Sequence, residues 1–442
     1  MMNKLIFFIL IPFLLFSQIK DEENERFIRH TVELYDSFYT LKSKYNVTRR
    51  ELVLYNPFLK GSIYLHQFDG KEILIPIKKN FSKGSSDLKI GLLLPFHTDL
   101  IDSLFFENEN INLNEIDYKS HKSIDFYRGF LFSIHEYVEQ GNRVDLSVFD
   151  TYNNVDSVRN LLNSLEEMDL VVGPLYQRNF NIVKDFFYGT NTIVVSPYIK
   201  NVNSNYYTDN FFFMECSEIV QLEYLSKYIS ENFYDYNISV VSRNDTTSLQ
   251  DDNFRNAIFS NMDYGMNVKN IMTMNPTIDS IHHELDTIDF KNIIVIPTNH
   301  NENVFVIDLI SKLHAFKRDT SMVVFCMGDI ADQKFSQIPT YELNNLNIHF
   351  ASNKDYSFDY NNFIIDFHSI FKGDPRDPHL IKGYQCGKYF LELLCNDSNL
   401  IDKEFSILGV KYKFSLQENN FNRNEVFDVW YYEDFDIKKV QD

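Results

Sequence analysis

The chain has 442 residues, of which 44% are hydrophobic and 24% charged, proportions typical of a globular rather than a disordered protein. At roughly 150 residues per domain, this length predicts about three compact units. Its 62 acidic and 42 basic residues give a formal net charge of −20, which repels phosphate backbones and anionic lipid surfaces and argues against a nucleic-acid partner.

The beginning of the chain has the pattern of an export signal. Lys4 precedes an apolar run at 5–16 that is too short to span a bilayer as a helix, and Ser17 offers a small residue for cleavage. We therefore predict a signal peptide at 1–17 and an exported protein, in the periplasm of a Gram-negative-type envelope and associated with the cell wall. No cysteine stands at the cleavage point, and no later run predicts a membrane span.

The segment 30–77 predicts a small module in the order strand, helix, helix, strand. Its first helix carries apolar residues at helical spacing, and Thr48 can cap the second helix. Pro57 ends that second helix, because the residue before a proline is pushed out of the helical region. The apolar run at 73–75 supplies the closing strand.

These residues resemble the LysM peptidoglycan-binding module. The matching pieces are His30-Thr31-Val32, Ser37-Phe38-Tyr39-Thr40-Leu41, Lys44-Tyr45-Asn46-Val47-Thr48, Asn56-Pro57, and Gly70 leading to Ile75-Pro76. Tyr35 and Lys42 stand where the family usually has glycine and alanine. The resemblance implies a shallow groove that binds glycan containing N-acetylglucosamine, with peptidoglycan as the partner. The residues it implicates are Asp36, Ser37, Phe38, Asn56, Pro57, Leu59 and Lys60. The alternative for three of them is structural: Phe38 and Pro57 belong to the core, and Asn56 only ends a helix.

A polar stretch at 78–87 predicts a linker, after which strands and helices alternate. Apolar strands are expected at 90–94, 144–149, 170–172 and 192–196. Helices are expected at 123–138, 155–165 and after residue 176, and an acidic loop at 98–119. Such repeats imply a parallel sheet with right-handed crossovers. Gly173-Pro174 ends one strand and so places 175–179 at the carboxyl edge of the sheet, where ligands bind in open α/β folds.

The same alternation restarts after a predicted lobe crossing near 211–216. Strands are expected at 238–242, 267–273, 292–296, 322–326 and 346–351, and helices at 361–371 and 379–394. The chain then closes with segments 405–415 and 426–432, whose alternation predicts an antiparallel pair. The expected architecture is α/β, with two lobes and several crossings.

Residues 88–441 resemble the type I periplasmic binding protein (Leu/Ile/Val-binding-protein-like) fold, in the exported branch in which a LysM module precedes it. The resemblance implies a domain at 88–442 with parallel sheets and an interlobe cleft. The residues that carry it are Lys89-Ile90-Gly91-Leu92-Leu93-Leu94-Pro95-Phe96, Asp125-Phe126-Tyr127-Arg128-Gly129, Val172-Gly173-Pro174-Leu175-Tyr176, Val195-Ser196-Pro197 and Gly383-Tyr384-Gln385.

Polar residues after the strands define a candidate ligand cleft, although polar residues end most strands in any case. Helix N-termini there suit an anion, and Arg243 could bind a carboxylate. Family members that bind amino acids use small hydroxyl residues just after the Gly-Pro turn, where this chain has Tyr176, Gln177 and Arg178, so an amino-acid ligand is not predicted. Met327 and Gly328 are expected to face this wall from the second lobe. The candidate cleft residues are Phe96, His97, Asp150, Thr151, Tyr176, Gln177, Ser196, Tyr198, Arg243 and Asn299.

Catalytic and metal-binding motifs give no support for an enzyme. The sequence has no nucleophile elbow, GxGxxG, Walker loop or HExxH, and His282-His283-Glu284 is interpreted as a solvated helix face. Four cysteines lack zinc spacing and are expected to be buried free thiols, so no metal or cofactor is predicted. The leading hypothesis is a non-catalytic protein that docks on peptidoglycan and senses or binds a solute. The alternative is a ligand-free scaffold or regulator that contacts cell-wall synthesis or envelope proteins, and an enzyme acting on wall fragments is third.

Overall fold

A computed structural model describes residues 27–33, 36–45, 47, 49–60, 62, 65–76, 88–99, 118–200, 202, 207–243, 256–262, 265–273, 281, 283, 285, 291–297, 303–317, 322–331, 337–371, 373–395, 401–417 and 420–441. The predicted signal peptide and linker, most of the acidic loop, His282 and Asn299 lie outside these residues. The chain forms two compact units, Met1–Gly84 and Ser85–Asp442, which are described separately.

The N-terminal unit has the predicted order of strand, helix, helix and strand. Strands β1 (Phe27–Thr31) and β2 (Glu72–Pro76) pair antiparallel, with His30 opposite Ile73. Helices α1 (Phe38–Tyr45) and α2 (Arg49–Tyr55) lie between them in the chain, followed by 3₁₀ turns at Pro57–Leu59 and Leu65–Phe68. The apolar side chains meet in one small core, which contains Val32, Leu41, Val47, Leu52, Leu59, Leu65, Ile73 and Ile75.

The first lobe of the second unit is built on a seven-stranded sheet. Its parallel strands are β3 (Leu88–Leu94), β4 (Val144–Asp150), β5 (Leu170–Val172), β6 (Ile193–Ser196) and β7 (Phe211–Phe213). The crossover helices are α3 (Tyr118–Glu139), α4 (Val155–Leu161) and α5 (Gln177–Phe187). Because helices cover both faces, the central strands are continuous apolar runs, and Leu170, Val171 and Val172 are all buried.

The second lobe repeats this plan after helix α6 (Glu218–Asn232). Its parallel strands are β8 (Asn237–Arg243), β9 (Asn267–Thr273), β10 (Asn292–Ile296), β11 (Met322–Cys326) and β12 (Ile348–Ser352). Helices α7 (Asn303–Phe316) and α8 (Thr340–Asn345) belong to it. The chain then returns to the first lobe through α9 (Asn361–Ile370) and α10 (Pro378–Cys395), whose buried residues share a core with Ile90 of β3.

The predicted closing pair was wrong in its partners. Segment 405–415 divides into β13 (Phe405–Ile407), β14 (Val410–Tyr412) and the start of β15 (Phe414–Leu416). Strand β15 pairs with β16 (Asn422–Asn424), which lies beside β7 in the first lobe. Segment 426–432 instead forms β17 (Asp428–Glu433), which pairs antiparallel with β12 and with β18 (Asp436–Lys439) in the second lobe. Alternation identified the strands but could not select their partners.

The chain therefore crosses between the lobes after β7, after β12 and after β16. The sheet orders are β15-β16-β7-β6-β5-β3-β4 in the first lobe and β18-β17-β12-β11-β10-β8-β9 in the second. The first crossing lies between β7, which ends at Phe213, and α6, which begins at Glu218.

Helices α3 and α10 cross at very short range in the first lobe. A Cβ atom on Gly129 of α3 would lie 1.8 Å from the carbonyl oxygen of Leu380. A Cβ atom on Gly383 of α10 would lie 2.0 Å from the carbonyl oxygen of Phe126. Both glycines belong to the sequence motifs that indicated the fold, and their role is to let two backbones approach.

Candidate functional site

The glycan-binding prediction falls on a mixture of buried and exposed residues in the N-terminal unit. Asn56 is 3% exposed, and its Nδ2 donates to the carbonyl oxygens of Leu52 (2.7 Å) and Leu74 (2.8 Å). Its Oδ1 accepts from the backbone N–H of Leu74 at 2.8 Å. Leu59 is fully buried in the core. The side chains of Asn56 and Leu59 therefore support the fold, whereas Pro57 and Lys60 are exposed.

Asp36 takes part in a partly buried polar cluster. Its Oδ2 lies 2.7 Å from Nε2 of His30 and accepts from the backbone N–H of Glu33 at 2.8 Å, while Tyr45 Oη lies 3.0 Å from His30 Nδ1. Burial alone would raise the pKa of Asp36, but the Glu33 N–H and the His30 ring outweigh it and hold the pKa below its usual value. The cluster fixes the loop that precedes α1, where Ser37 and Phe38 are half-buried.

Sequence reasoning missed an aromatic and cationic surface next to Pro57. Phe58 is 38% exposed, packs edge to face on Phe68 at 5.5 Å, and carries the Lys71 ammonium 3.5 Å from its ring centroid. In the same unit, the Arg49 guanidinium lies 4.7 Å from the Phe38 ring centroid. An exposed aromatic ring flanked by cations is a surface on which a sugar can stack and hydrogen-bond. The available signal was the Pro57-Phe58 pair just after the second helix.

The predicted cleft residues of the first lobe do gather at the carboxyl edge of its sheet. Phe96 and His97 follow β3, Asp150 ends β4, and Ser196 ends β6. Tyr176 and Gln177 lie at the start of α5, beyond Gly173, whose φ of 91° and close approach to the Leu93 carbonyl require glycine. Arg243 ends β8 of the second lobe.

Several of these polar groups form hydrogen bonds within the protein that stabilise the loops at this edge. Asp150 accepts from the backbone N–H groups of Phe96 (2.9 Å), Thr98 (2.8 Å) and Tyr152 (2.8 Å), so its carboxylate organises the loops. Ser196 Oγ accepts from the N–H of Ile199 at 3.2 Å. By contrast, Thr151 Oγ1 and His97 Nε2 are buried with no hydrogen-bond partner among the described residues.

An aromatic and cationic group covers the wall beside Ser196. Tyr198 Oη lies 3.0 Å from Nδ1 of His379, and the Lys122 ammonium lies 3.7 Å from the Tyr198 ring centroid. Burial lowers the pKa of Lys122, and the Glu215 carboxylate opposes that shift. Lys122 belongs to α3, His379 to α10, and Tyr198 to the loop after β6, so three separate segments meet beside this edge.

The cavity between the lobes is lined by the crossover segments rather than by the predicted first-lobe residues. Its volume is about 120 Å³. Met327 and Gly328, which were predicted to face the first-lobe cleft residues, line this cavity, and none of those first-lobe residues lines it. The other lining residues are Lys200, Glu215, Cys216, Glu218, Gln221, Asp329, Ser352, Asn353, Lys354 and Phe427.

Charged pairs occupy the neighbourhood of this cavity. Lys382 Nζ lies 2.7 Å from Glu215 Oε1, and Lys200 Nζ lies 3.7 Å from Glu218 Oε1. Burial alone would raise the pKa of Glu215, but the ammonium groups of Lys382 and Lys200 outweigh it and hold the pKa below its usual value. The Gln221 amide donates to the carbonyl oxygen of Ala351, which joins α6 to the end of β12.

Replacing Lys382 by methionine should lower the free energy of unfolding of the two-lobed unit by about 2 kcal/mol at pH 7. Removing one partner of a fully buried ion pair costs about 3–5 kcal/mol. The cost is smaller here because the Glu215 side chain is 24% exposed. Urea unfolding followed by circular dichroism measures the difference.

The same pair predicts a pH dependence. Because the native pKa of Glu215 lies below its unfolded value of about 4.3, its contribution is complete above that pH and disappears as pH falls through the native pKa. The stability that is lost at acidic pH should be smaller in the Lys382→Met variant than in the wild type. Lys227→Met, at an exposed pair on α6, is the control and should match the wild type. Equal stability of all three proteins would show that the Lys382–Glu215 contact contributes nothing.

The described residues lack a cluster of metal ligands, a membrane-spanning helix and a disulfide bond. They contain no group of three or more potential metal-ligating side chains, and none of their helices is long and apolar enough to cross a bilayer. All four cysteines are free thiols; Cys326 and Cys386 are buried, whereas Cys216 is half-buried and Cys395 is exposed, which corrects the prediction that all four are buried.

Two parallel-dominated sheets joined by three crossings define a two-lobed, type I periplasmic binding protein-like fold. No protein-family model matches the chain, and no curated protein sequence matches it. The known similarity is structural.

A structure from Rhodospirillum rubrum described as a branched-chain amino acid ABC transporter has a TM-score of 0.59 and 11% identity, over 80% of this chain and all of that one. LpoA from Haemophilus influenzae, in a monoclinic crystal form, has a TM-score of 0.55 and 13% identity, over 91% of this chain and 64% of that one. The C-domain of that LpoA, described as a regulator of PBP1A, has a TM-score of 0.50 and 13% identity, over 80% of this chain and all of the C-domain. At such identities the likeness establishes the fold alone.

Proposed function

We propose that this protein is a non-catalytic component of the cell envelope whose two-lobed unit (88–442) engages a partner protein. In this proposal the leader (1–17) directs export to the periplasm, and the LysM-like module (30–77) holds the protein on peptidoglycan. The partner is a protein of cell-wall synthesis or of the envelope.

The observation that carries the proposal is the size of the interlobe cavity. Sites for small molecules usually have volumes of about 300–1,000 Å³. The cavity here has about 120 Å³ and lies against the Lys382–Glu215 ion pair. A solute would have to separate the lobes and disrupt charged contacts before it could enter. Similarity to LpoA, one domain of which is a regulator of PBP1A, supports a role through protein contact on this fold.

A solute-sensing role is the second candidate. The fold is shared with the Rhodospirillum rubrum protein, and the first-lobe edge keeps two buried polar atoms, Thr151 Oγ1 and His97 Nε2, without partners among the described residues. A ligand or an ordered water could satisfy both groups.

A thermal-shift screen of amino acids, sugars and wall fragments separates the two roles. A ligand that binds the folded state stabilises it by mass action, by about 2.7 kcal/mol at 100 times its dissociation constant, and so raises the melting temperature. We expect no compound to act through the cleft, and we expect in-cell cross-linking to capture a wall-synthesis protein. A compound whose shift disappears in Lys382→Met would establish the solute role, and release of soluble product from purified peptidoglycan would establish an enzyme.

For the N-terminal unit, we expect Phe58→Ala to reduce co-sedimentation of the full chain with insoluble peptidoglycan by about tenfold. Loss of one aromatic stacking surface removes about 1–2 kcal/mol of binding free energy. Ile28→Ala is the matched control, because Ile28 is equally exposed on the same unit, at 39% against 38%. Unchanged sedimentation of Phe58→Ala would remove this surface from the proposal.

A further inference from the structure

A second, larger cavity lies at the outer edge of the second-lobe sheet, beside β17 and β18. Its volume is about 750 Å³, against about 120 Å³ between the lobes. This is within the range of about 300–1,000 Å³ found for small-molecule sites. Its lining includes Asp355, Lys411, Asp428, Trp430, Asp436 and Lys439.

One wall of this cavity holds two ammonium groups in fixed positions. Asp428 binds Lys411 Nζ through Oδ2 and Lys439 Nζ through Oδ1, each at 2.9 Å. Lys411 also pairs with Glu404 at 2.9 Å. A lysine ammonium has three N–H donors, and within the described contacts Lys411 uses two of them and Lys439 one. The wall therefore retains charged donors for a ligand.

Two carboxylates supply the opposite charge. Asp355 Oδ1 accepts from the N–H (2.9 Å) and Oγ (2.6 Å) of Ser357, and Asp436 Oδ1 accepts from the N–H of Ile437 at 2.8 Å. In each aspartate, one carboxylate oxygen makes these bonds and so fixes the side chain. Within the described contacts, the second oxygen of each remains as an acceptor.

This pattern selects among ligand classes. The lining contains three lysines and three aspartates, so a polyanion or polycation gains no net attraction. A sugar needs an open aromatic face, whereas the Trp430 indole is only 3% exposed and packs edge to face on Tyr356 at 5.3 Å. A zwitterion matches both kinds of charge. The volume suits a molecule longer than a single amino acid.

We propose that this cavity binds a short peptide with free amino and carboxyl termini. The carboxylate would lie against Lys411 and Lys439, and the ammonium against Asp355 and Asp436. Trp430 lines the cavity, and its buried Nε1–H has no hydrogen-bond partner among the described residues. This site is separate from the interlobe cleft and does not depend on the function proposed above.

Trp430 is the single tryptophan of the chain and therefore reports directly on the cavity. Full-length protein titrated with trialanine should show a saturable change in tryptophan emission, with matching heats in calorimetry. The same peptide acetylated at its N-terminus and amidated at its C-terminus should bind about tenfold more weakly or worse, because it lacks both charges. N-acetylglucosamine oligomers should leave the emission unchanged.

The Lys439→Met variant should weaken trialanine binding by about tenfold, and Asp436→Asn tests the opposite end of the ligand should Lys439→Met fold poorly. Lys312→Met, at an α7 ion pair outside the cavity lining, is the control and should bind like the wild type. The proposal is wrong if trialanine gives neither signal nor heat, or if the capped peptide binds equally well. It is also wrong if Lys382→Met abolishes binding while Lys439→Met retains it, which would place the peptide between the lobes.

Discussion

Replacing Gly129 by alanine is expected to destabilise the two-lobed unit by about 3 kcal/mol, the upper end of the usual range for overpacking. The new methyl group would lie 1.8 Å from the carbonyl oxygen of Leu380. That oxygen belongs to the backbone of α10 and cannot rotate away as a side chain would. Helices α3 and α10 must therefore separate, which opens the core that contains Phe126 and Tyr389. Urea unfolding by circular dichroism measures the loss.

Gly383→Ala tests the same crossing from the other helix, because its methyl group would lie 2.0 Å from the carbonyl oxygen of Phe126. The double variant should lose less than the sum of the two single losses, since either methyl group alone already separates the helices. Val138→Ala, at an exposed position near the end of α3, should cost less than about 0.5 kcal/mol. A Gly129→Ala variant as stable as Val138→Ala would mean that the helices do not cross this closely.

The sequence predicted most of this fold because its signals are local. Apolar segments identified every parallel strand except β7 and β16, and 3.6-residue spacing identified α3, whereas helices α6 and α7 were not predicted. The partners of the last strands could not be predicted in this way. Segment 405–415 and strand β17 alternate in the same manner, yet they join different sheets. Their separation depends on the turn at Leu408-Gly409, where both residues adopt positive φ, and on the crossing after β16.

The cavity between the lobes was harder to predict for a different reason. Sequence reasoning placed ligand residues at strand ends, which is correct for one lobe considered alone. Glu215 and Lys354 line the cavity because the chain changes lobes there, so their proximity follows from tertiary topology rather than from any local pattern. The predicted crossing at 211–216 and the predicted cleft residues Met327 and Gly328 were what pointed to this region. In the N-terminal unit, pattern matching could not separate residues that hold the fold, such as Asn56, from exposed residues such as Lys60.

Asn56→Ala should destabilise the N-terminal unit by about 3 kcal/mol. Asn56 replaces a neighbouring strand at the outer edge of β2, because its amide binds both the N–H and the carbonyl oxygen of Leu74. The third bond, to the Leu52 carbonyl, satisfies the end of α2. Alanine would leave these groups unpaired at about 1 kcal/mol or more each. A module of about 50 residues has only some 3–7 kcal/mol of stability, so it should unfold in a large fraction of molecules.

Hydrogen exchange in the full chain separates this loss from a direct loss of glycan contact. In Asn56→Ala, amides of β2 should exchange far faster while those of β3 and β5 in the second unit stay protected. Lys60→Ala removes an exposed predicted contact and should leave exchange unchanged, so any fall in peptidoglycan binding in that variant measures contact alone. If Asn56→Ala kept normal exchange and still lost peptidoglycan, its amide would be a glycan ligand and not the bond that closes the module.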